Sequence, residues 1–144
     1  MFKRILVPTD GSDITQKAVA SAITLAKSVN ATLYTLSVKE PFPYSAISEM
    51  QPTPPQEFFD AQERIAAARV KEVRDLASAG GLPCEAHTVE ALHPWEAIID
   101  HAKRHECDLI VMASHGRRGV TALLLGSETQ KVLTHTNIPV LVVR

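Results

Sequence analysis

Four short runs of aliphatic and β-branched residues divide the chain, and they predict strands at residues 4–7, 32–38, 108–112 and 139–143. The first, third and fourth runs are apolar at consecutive positions, which is typical of parallel strands that are covered on both faces. A fifth run, residues 84–89, mixes polar and apolar positions. We interpret it as an edge strand with one side toward water.

Segments with helical periodicity separate these runs. After Gly11, Asp13 and Gln16 have the spacing of a capping box, and an apolar stripe follows that is typical of a helix ending near Asn30. Further helices are predicted at about residues 55–79, 94–106 and 127–136. The resulting order, β-α-β-α-β-α-β-α-β, predicts an α/β protein with a five-stranded parallel sheet, doubly wound by helices into three α/β/α layers.

One stretch fits neither pattern. Residues 39–56 contain five prolines, at positions 41, 43, 52, 54 and 55. They exclude a regular helix or a central strand. A connection of this length in a compact domain is often a lid or a disordered segment, and as a lid it could close over the base of a ligand.

Charge and composition exclude several classes of protein. Fifteen basic residues against sixteen acidic ones leave a net charge of −1, which does not favour a large nucleic-acid or anionic membrane footprint. No apolar run approaches the roughly 20 residues of a membrane span. No leader-like segment precedes the first strand, and Cys84 and Cys107 lack metal-ligand spacing. We therefore expect a cytoplasmic protein with reduced thiols.

The first candidate site follows the first predicted strand, at Pro8, Thr9 and Asp10. Ligands of open α/β sheets bind at the carboxyl ends of strands, where the Asp10 carboxylate could accept hydrogen bonds from a base or a sugar. Gly11 allows a sharp turn into the helix. The alternative is that Asp10 and Ser12 only cap that helix.

The second candidate site follows the fourth predicted strand. Small residues at 113 and 116 would let backbone N–H groups approach a phosphate, and a glycine and a serine at 126–127 open a helix whose N-terminus favours an anion. Hydroxyl groups and two arginines could add donors and positive charge: Ser127, Thr129, Arg117 and Arg118. The alternative is an ordinary surface turn with a serine cap and solvated arginines.

Other chemistry finds little support in the sequence. There is no Gly-Lys-Ser or Gly-Lys-Thr for a phosphate-transferring P-loop, and no Gly-x-Gly-x-x-Gly after the first strand. His101 and His105 are four apart on a predicted helix, but we expect surface histidines because no third ligand is evident, and we predict no metal site. No general base is positioned, so we expect no dedicated enzyme, although slow hydrolysis of a bound phosphate compound stays open.

Residues 8–12, Pro-Thr-Asp-Gly-Ser, and residues 138–143, Ile-Pro-Val-Leu-Val-Val, resemble the universal stress protein family across essentially the whole chain. Nucleotide-binding members of that family carry Gly, two residues, Gly, nine residues, then Gly with Ser or Thr. Here Ala113 stands at the first glycine, followed by Gly116, Gly126 and Ser127. A methyl group fits there only if the backbone φ is negative.

The resemblance implies one domain over residues 1–144 with the Rossmann-like, adenine nucleotide alpha hydrolase-like fold and strand order 3-2-1-4-5. It implies a site for ATP, or for AMP or ADP, with Mg²⁺ or Mn²⁺ bridging the phosphates. Asp10 would contact the ribose or adenine side, and Val38 would offer backbone groups to the adenine edge. The other implied binding residues line the base, the sugar or the phosphates: Pro8, Thr9, Met112, Ala113, His115, Gly116, Arg117, Gly126, Ser127, Glu128 and Thr129.

The family topology also places the last strand at a sheet edge, where a continuously apolar run invites pairing with a second copy of the chain. The expected homodimer forms through Val140, Leu141, Val142 and Val143. The expected function is that of a nucleotide-binding stress-response or regulatory protein. The alternatives are a dimeric interaction module that binds no ATP, an AMP-type ligand sensor and, less favoured, an ATP-dependent transferase.

Overall fold

The structure, a computed structural model, describes residues 1–42, 55–116 and 124–144. Most of the proline-rich segment lies outside the described residues, and so do Arg117 and Arg118. Five strands and four helices alternate along the described parts of the chain. They are β1 (Arg4–Pro8), α1 (Asp13–Val29), β2 (Thr32–Lys39), α2 (Gln56–Ala79), β3 (Cys84–Glu90), α3 (Pro94–Arg104), β4 (Leu109–Ala113), α4 (Ser127–His135) and β5 (Val140–Val143).

All five strands pair in parallel in one sheet with the order β3-β2-β1-β4-β5, so the predicted fold and strand order are confirmed. β1 lies at the centre, where Leu6 is level with Tyr34 on one side and with Ile110 on the other. The chain moves outward from β1 through β2 to β3 and then returns to the other side of β1 with β4. The strand order therefore reverses between β1 and β4, and a crevice opens at their carboxyl ends.

Two apolar clusters cover the two faces of the sheet. Ile5, Val7 and Val111 pack with the buried sides of α1 and α2, whereas Leu6 and Ile110 pack with α3 and α4. Because consecutive residues of a strand point to opposite faces, burial on both faces requires apolar residues at consecutive positions. This is why the central strands carry unbroken aliphatic runs.

The N-terminus of α1 differs from the predicted capping box. Ser12 is the N-cap residue, and its hydroxyl accepts a hydrogen bond from the backbone N–H of Thr15. The capping role expected of Asp13 and Gln16 is wrong, because Asp13 is already the first residue of the helix. At the other end, Asn30 adopts a left-handed conformation, with φ of 58°, and terminates α1 as predicted.

The outer strands differ from the central ones in burial. At one edge of the sheet, the residues of β3 are partly buried except Glu85 and Glu90, which are exposed. At the other edge, β5 is also only partly covered. The long helix α2 packs one apolar stripe on β2 and β3, through Ala66, Val70, Val73 and Ala77. Among the described residues, no helix combines the length and the apolar character that crossing a membrane requires.

Candidate functional site

Asp10 lies just beyond the carboxyl end of β1, in the crevice that the strand order creates. One carboxylate oxygen, Oδ1, accepts hydrogen bonds from the backbone N–H of Ser12 at 2.9 Å and from the Thr15 hydroxyl at 2.8 Å. Gly11 makes the turn between Asp10 and Ser12 with φ of +77°, a conformation that suits glycine. These bonds fix the orientation of the Asp10 carboxylate. Asp10 thus supports the start of α1, as the capping alternative requires.

The second oxygen of Asp10 faces Gly116, in the segment that follows β4. A β-carbon added at Gly116 would lie only 2.6 Å from Asp10 Oδ2. Real side chains do not approach that closely, so only glycine fits at position 116 with Asp10 in this position. The two candidate sites that are far apart in the sequence therefore meet at one place.

A backbone hydrogen bond closes the base of the connection between β4 and α4. The N–H of Gly126 donates to the carbonyl oxygen of Ser114 at 2.7 Å, and the N–H of Ser114 donates to Val143 in β5 at 2.8 Å. A β-carbon at Gly126 would lie 2.9 Å from the α-carbon of His115, so the beginning and the end of this connection are in contact. Ser114 holds them together through its two backbone hydrogen bonds. The sequence analysis missed Ser114, although its position directly after a buried strand was an available signal.

The N-terminus of α4 points into the same region. Gly126 is the N-cap residue, and no side-chain hydrogen bond caps the helix. The first N–H groups of any helix lack partners within the helix, and they carry the positive end of its dipole. Ser127, which follows Gly126, is exposed. The arrangement can bind an anionic group beside Gly116 and Gly126.

Ala113, the residue that departs from the family pattern, fits the structure without backbone strain. It ends β4, and it is not among the non-glycine residues of the described parts that have positive φ. Its side chain is buried in the cluster under α1 and α2, while that of Met112 is buried in the cluster on the opposite face. The Ala113 methyl group packs with the core. The side chains of Met112 and Ala113 therefore lie on opposite faces of the sheet and cannot both line one wall of the pocket. The backbone of both residues lies at the carboxyl end of β4.

Val38 lies near the end of β2 and directs its peptide group toward the crevice. In β2, the N–H of Thr32 donates to Lys3 and the carbonyl of Leu36 accepts from Thr9, both on the β1 side. Residues two apart in a strand face the same way, so Val38 also faces this side, two residues beyond Leu36, which is level with Pro8. A ligand beyond the end of β1 could reach this peptide group.

Three other predicted residues use their side chains within the protein. The Thr129 hydroxyl donates to the carbonyl oxygen of Ala113 at 2.9 Å, and the Glu128 carboxylate accepts from the backbone N–H of Trp95 at 2.9 Å. His115 Nδ1 lies 3.2 Å from the Ser114 hydroxyl. Glu128 thereby neutralises the N-terminus of α3 and joins it to α4. What Glu128 and Thr129 can offer a ligand is their backbone N–H groups. Arg117 belongs to the undescribed residues.

A second group of polar side chains lies away from the crevice, between β3 and α3. His101 is only 5% exposed, so the expectation that it is a surface histidine is wrong. Burial, followed by the neighbouring His105 and His87, lowers the pKa of His101 to about 4. The sequence analysis missed His87, because the register between β3 and β2, rather than a pattern along the chain, decides that it faces α3.

The two cysteines are not paired with each other. Burial raises the pKa of Cys84 to about 11 and that of Cys107 to about 12, and both are free. At neutral pH both thiols are protonated, and a protonated thiol is a poor nucleophile. This agrees with the interpretation of Cys84 and Cys107 as packed, unreactive residues.

Comparison with known proteins points in one direction. The sequence model of a family described as the universal stress protein family matches residues 1–144. A curated universal stress protein from Thermus aquaticus is 37% identical over the full length of both chains. The solved structure of MJ0577, a universal stress protein of Methanocaldococcus jannaschii, superimposes with a TM-score of 0.84 at 26% identity and covers 99% of this chain and 96% of its own. A solved universal stress protein in complex with cAMP has a TM-score of 0.71 and 26% identity, with 99% and 97% of the two chains covered.

Proposed function

Because this chain belongs to the universal stress protein family, we propose that it binds an adenine nucleotide, with ATP as the preferred ligand, and acts as a stress-response regulator. The phosphates bind at Gly116, Gly126 and the N-terminus of α4, and the base and sugar bind between Asp10 and Val38. Mg²⁺ or Mn²⁺ would bind with the phosphates, since hard oxygen ligands suit these ions. Arg117, a predicted phosphate ligand, lies outside the described residues.

The observation that carries this proposal is the meeting of Asp10 and Gly116 beside a helix N-terminus without a side-chain cap. A phosphate chain needs backbone N–H donors that it can approach closely, and a ribose needs a fixed acceptor for its hydroxyl groups. The absence of a side chain at Gly116 and the N–H groups of the first turn of α4 meet the first requirement, whereas the N–H of Gly126 itself is bonded to Ser114. The Asp10 carboxylate, held through its other oxygen by Ser12 and Thr15, supplies the second.

The cAMP complex of a universal stress protein supports an adenine nucleotide as the class of ligand. It also favours a second candidate, a sensor of nucleotides that carry one phosphate group. The two candidates share the adenine and ribose contacts at Asp10 and Val38. They differ in whether the helix N-terminus and the following residues bind the β- and γ-phosphates.

Calorimetric titration with ATP and with AMP, each with and without Mg²⁺, tests the proposal. We expect ATP with Mg²⁺ to bind at least about tenfold more tightly than AMP, because each good charge-assisted hydrogen bond to the extra phosphates contributes about 1.5–3 kcal/mol. Equal affinities would favour the single-phosphate sensor. Absence of heat with every nucleotide would contradict both and leave a dimeric interaction module.

We also propose that the protein is a homodimer joined through β5. In β5, the carbonyl groups of Pro139 and Val143 accept hydrogen bonds from β4, so peptide groups at odd positions face β4. Those of Val140 and Val142 therefore face the outer edge. Leu141 is 41% exposed on the same strand. An apolar edge with outward peptide groups fits a second copy of itself across a two-fold axis.

Replacing Leu141 with glutamate tests this interface. Two like charges brought together across the axis, together with the lost apolar burial, should weaken dimerisation about tenfold or more. Sedimentation velocity across the micromolar range measures the change. Leu76→Glu is the matched control, because Leu76 is similarly exposed, at 48%, on α2 and far along the sheet from β5. A wild-type protein that is monomeric throughout the range, or equal effects of both variants, would contradict the proposed interface.

The cytoplasm is the compartment we propose for this protein. The two free thiols with raised pKa values support it, since an oxidising compartment favours paired cysteines. Fractionation of cells that express the tagged protein would locate it.

The family match over residues 1–144 supports treating the chain as one domain.

A further inference from the structure

Three histidine side chains converge between β3 and α3. His101 and the helix-capping His105 are four apart and therefore lie on one face of α3. His87 is level with Leu36 in the sheet, on the face that α3 covers. The ring centroid of His87 lies 4.9 Å from the ring centroid of His101 and 4.9 Å from that of His105. The ring centroids of His101 and His105 are 4.3 Å apart.

The nitrogens of these rings are placed as metal ligands are. One nitrogen from each of the three rings can be chosen so that all three lie within 4.8 Å of one another. A single ion with bonds of about 2.0–2.1 Å to imidazole nitrogens holds its ligands less than that distance apart, so small side-chain rotations complete the site. Helix α3 and strand β3 supply the ligands from rigid elements.

Two nitrogens in the cluster are left without partners. His87 Nδ1 and His101 Nε2 are buried and have no hydrogen-bond partner among residues 1–42, 55–116 and 124–144. A buried polar atom without a partner destabilises a fold by about 1–3 kcal/mol. These two buried ring nitrogens are therefore costly unless something binds to them. A cation that accepts their lone pairs would remove this cost.

Charged groups of both signs lie near the histidine cluster. Glu85 lies two residues before His87 on β3, and its negative charge acts on His101. Arg104 at the end of α3 acts on the same ring with the opposite sign and more strongly. The Tyr34 ring packs against His105, with centroids 5.4 Å apart. A carboxylate near a group of imidazoles partly balances the charge of a divalent ion.

We propose that His87, His101 and His105 form a binding site for Zn²⁺. Imidazole nitrogen suits Zn²⁺ and its neighbours in the first transition row, whereas Mg²⁺ and Ca²⁺ require oxygen ligands. Three histidines leave a fourth position of the tetrahedral ion open to water or an incoming ligand. The bound ion joins the edge strand β3 to α3, and it thereby stabilises this side of the sheet. The site shares no residue with the nucleotide crevice, so it stands independently of the proposed nucleotide binding.

The test is calorimetric titration of the chelator-treated full chain with ZnCl₂ and, separately, with MgCl₂. We expect one Zn²⁺ per chain, no Mg²⁺ binding at this site, and a melting temperature that rises with Zn²⁺ concentration because the ion binds the folded state. His87→Gln and His105→Gln should each weaken Zn²⁺ binding at least about tenfold, because each removes one ligand of the ion. Both residues are partly exposed, so we expect the fold to tolerate their replacement. Circular dichroism of each variant verifies folding.

His93→Gln is the matched control, because His93 is an exposed histidine at the other end of α3. Its Zn²⁺ affinity should equal that of the wild type. Substitution with Co²⁺ gives a second readout, since a tetrahedral nitrogen site produces intense visible absorption that His87→Gln should abolish. Absence of Zn²⁺ binding, or equal losses in His87→Gln and His93→Gln, would overturn the proposal.

Discussion

Replacing Gly116 with alanine should weaken ATP binding at least about tenfold and up to about a hundredfold, because the loss of one or two charge-assisted hydrogen bonds costs about 1.5–3 kcal/mol each. The new methyl group would lie 2.6 Å from Asp10 Oδ2. That carboxylate cannot turn aside without breaking its bonds to Ser12 and Thr15. Either the segment at Gly116 or the Asp10 carboxylate must therefore move.

Calorimetry with ATP and AMP measures the effect and locates it. If Gly116 lies beside the phosphates, ATP should lose more affinity than AMP. Gly80→Ala is the matched control, since a β-carbon at the end of α2 would come closest to the flexible end of Lys27, at 3.2 Å, and would lie at an ordinary contact distance of 3.5 Å from the Ala77 carbonyl oxygen. Both variants should unfold within about 1 kcal/mol of the wild type. Wild-type ATP affinity in Gly116→Ala would mean that the phosphates bind elsewhere.

Replacing Asp10 with asparagine should weaken ATP and AMP equally, by about tenfold to a hundredfold, because a hydrogen bond to a charged acceptor contributes about 1.5–3 kcal/mol. The amide oxygen of asparagine can still accept the bonds from Ser12 and Thr15. The oxygen toward Gly116 is replaced by a donor, which a ribose hydroxyl cannot use in the same way. The fold should therefore survive while the sugar contact is lost.

Asp13→Asn is the control for charge, because it removes one negative charge from the neighbouring first turn of α1. It should leave nucleotide affinity unchanged and lower stability by about 0.3–1 kcal/mol through the helix dipole. The sign of the Asp10→Asn effect is itself informative. If Asp10 faces the phosphates rather than the ribose, removing its charge would raise ATP affinity, and the proposed orientation of the nucleotide would be reversed.

The residues that the sequence analysis placed in the nucleotide site fall into two groups in the structure. Asp10 and Gly116 face each other, and Gly126 opens the helix, as a crevice site requires. By contrast, the side chains of Glu128 and Thr129 are engaged within the protein, because local helix position does not reveal a partner on another element. A residue of the right type at the right spacing can still point the wrong way.

The histidine cluster shows a second limit of sequence analysis. The spacing of His101 and His105 was visible in the sequence, but a ligand set needs a third member. His87 lies on a strand, and only the parallel pairing of β3 with β2 turns it toward α3. Since the register of an edge strand is set by its neighbour, no pattern within residues 84–89 could reveal that contact.

The sequence by itself determined the alternation of strands and helices, the burial of the central strands on both faces, the position of β3 at a sheet edge and the chemical types available at the strand ends. These properties follow from local periodicity, because each residue's face is set by the repeat of its own helix or strand. Tertiary structure alone decided that Asp10 meets Gly116 and that three histidines gather under α3. Both contacts join residues from different elements, and their distances depend on strand order and register rather than on any repeat along the chain.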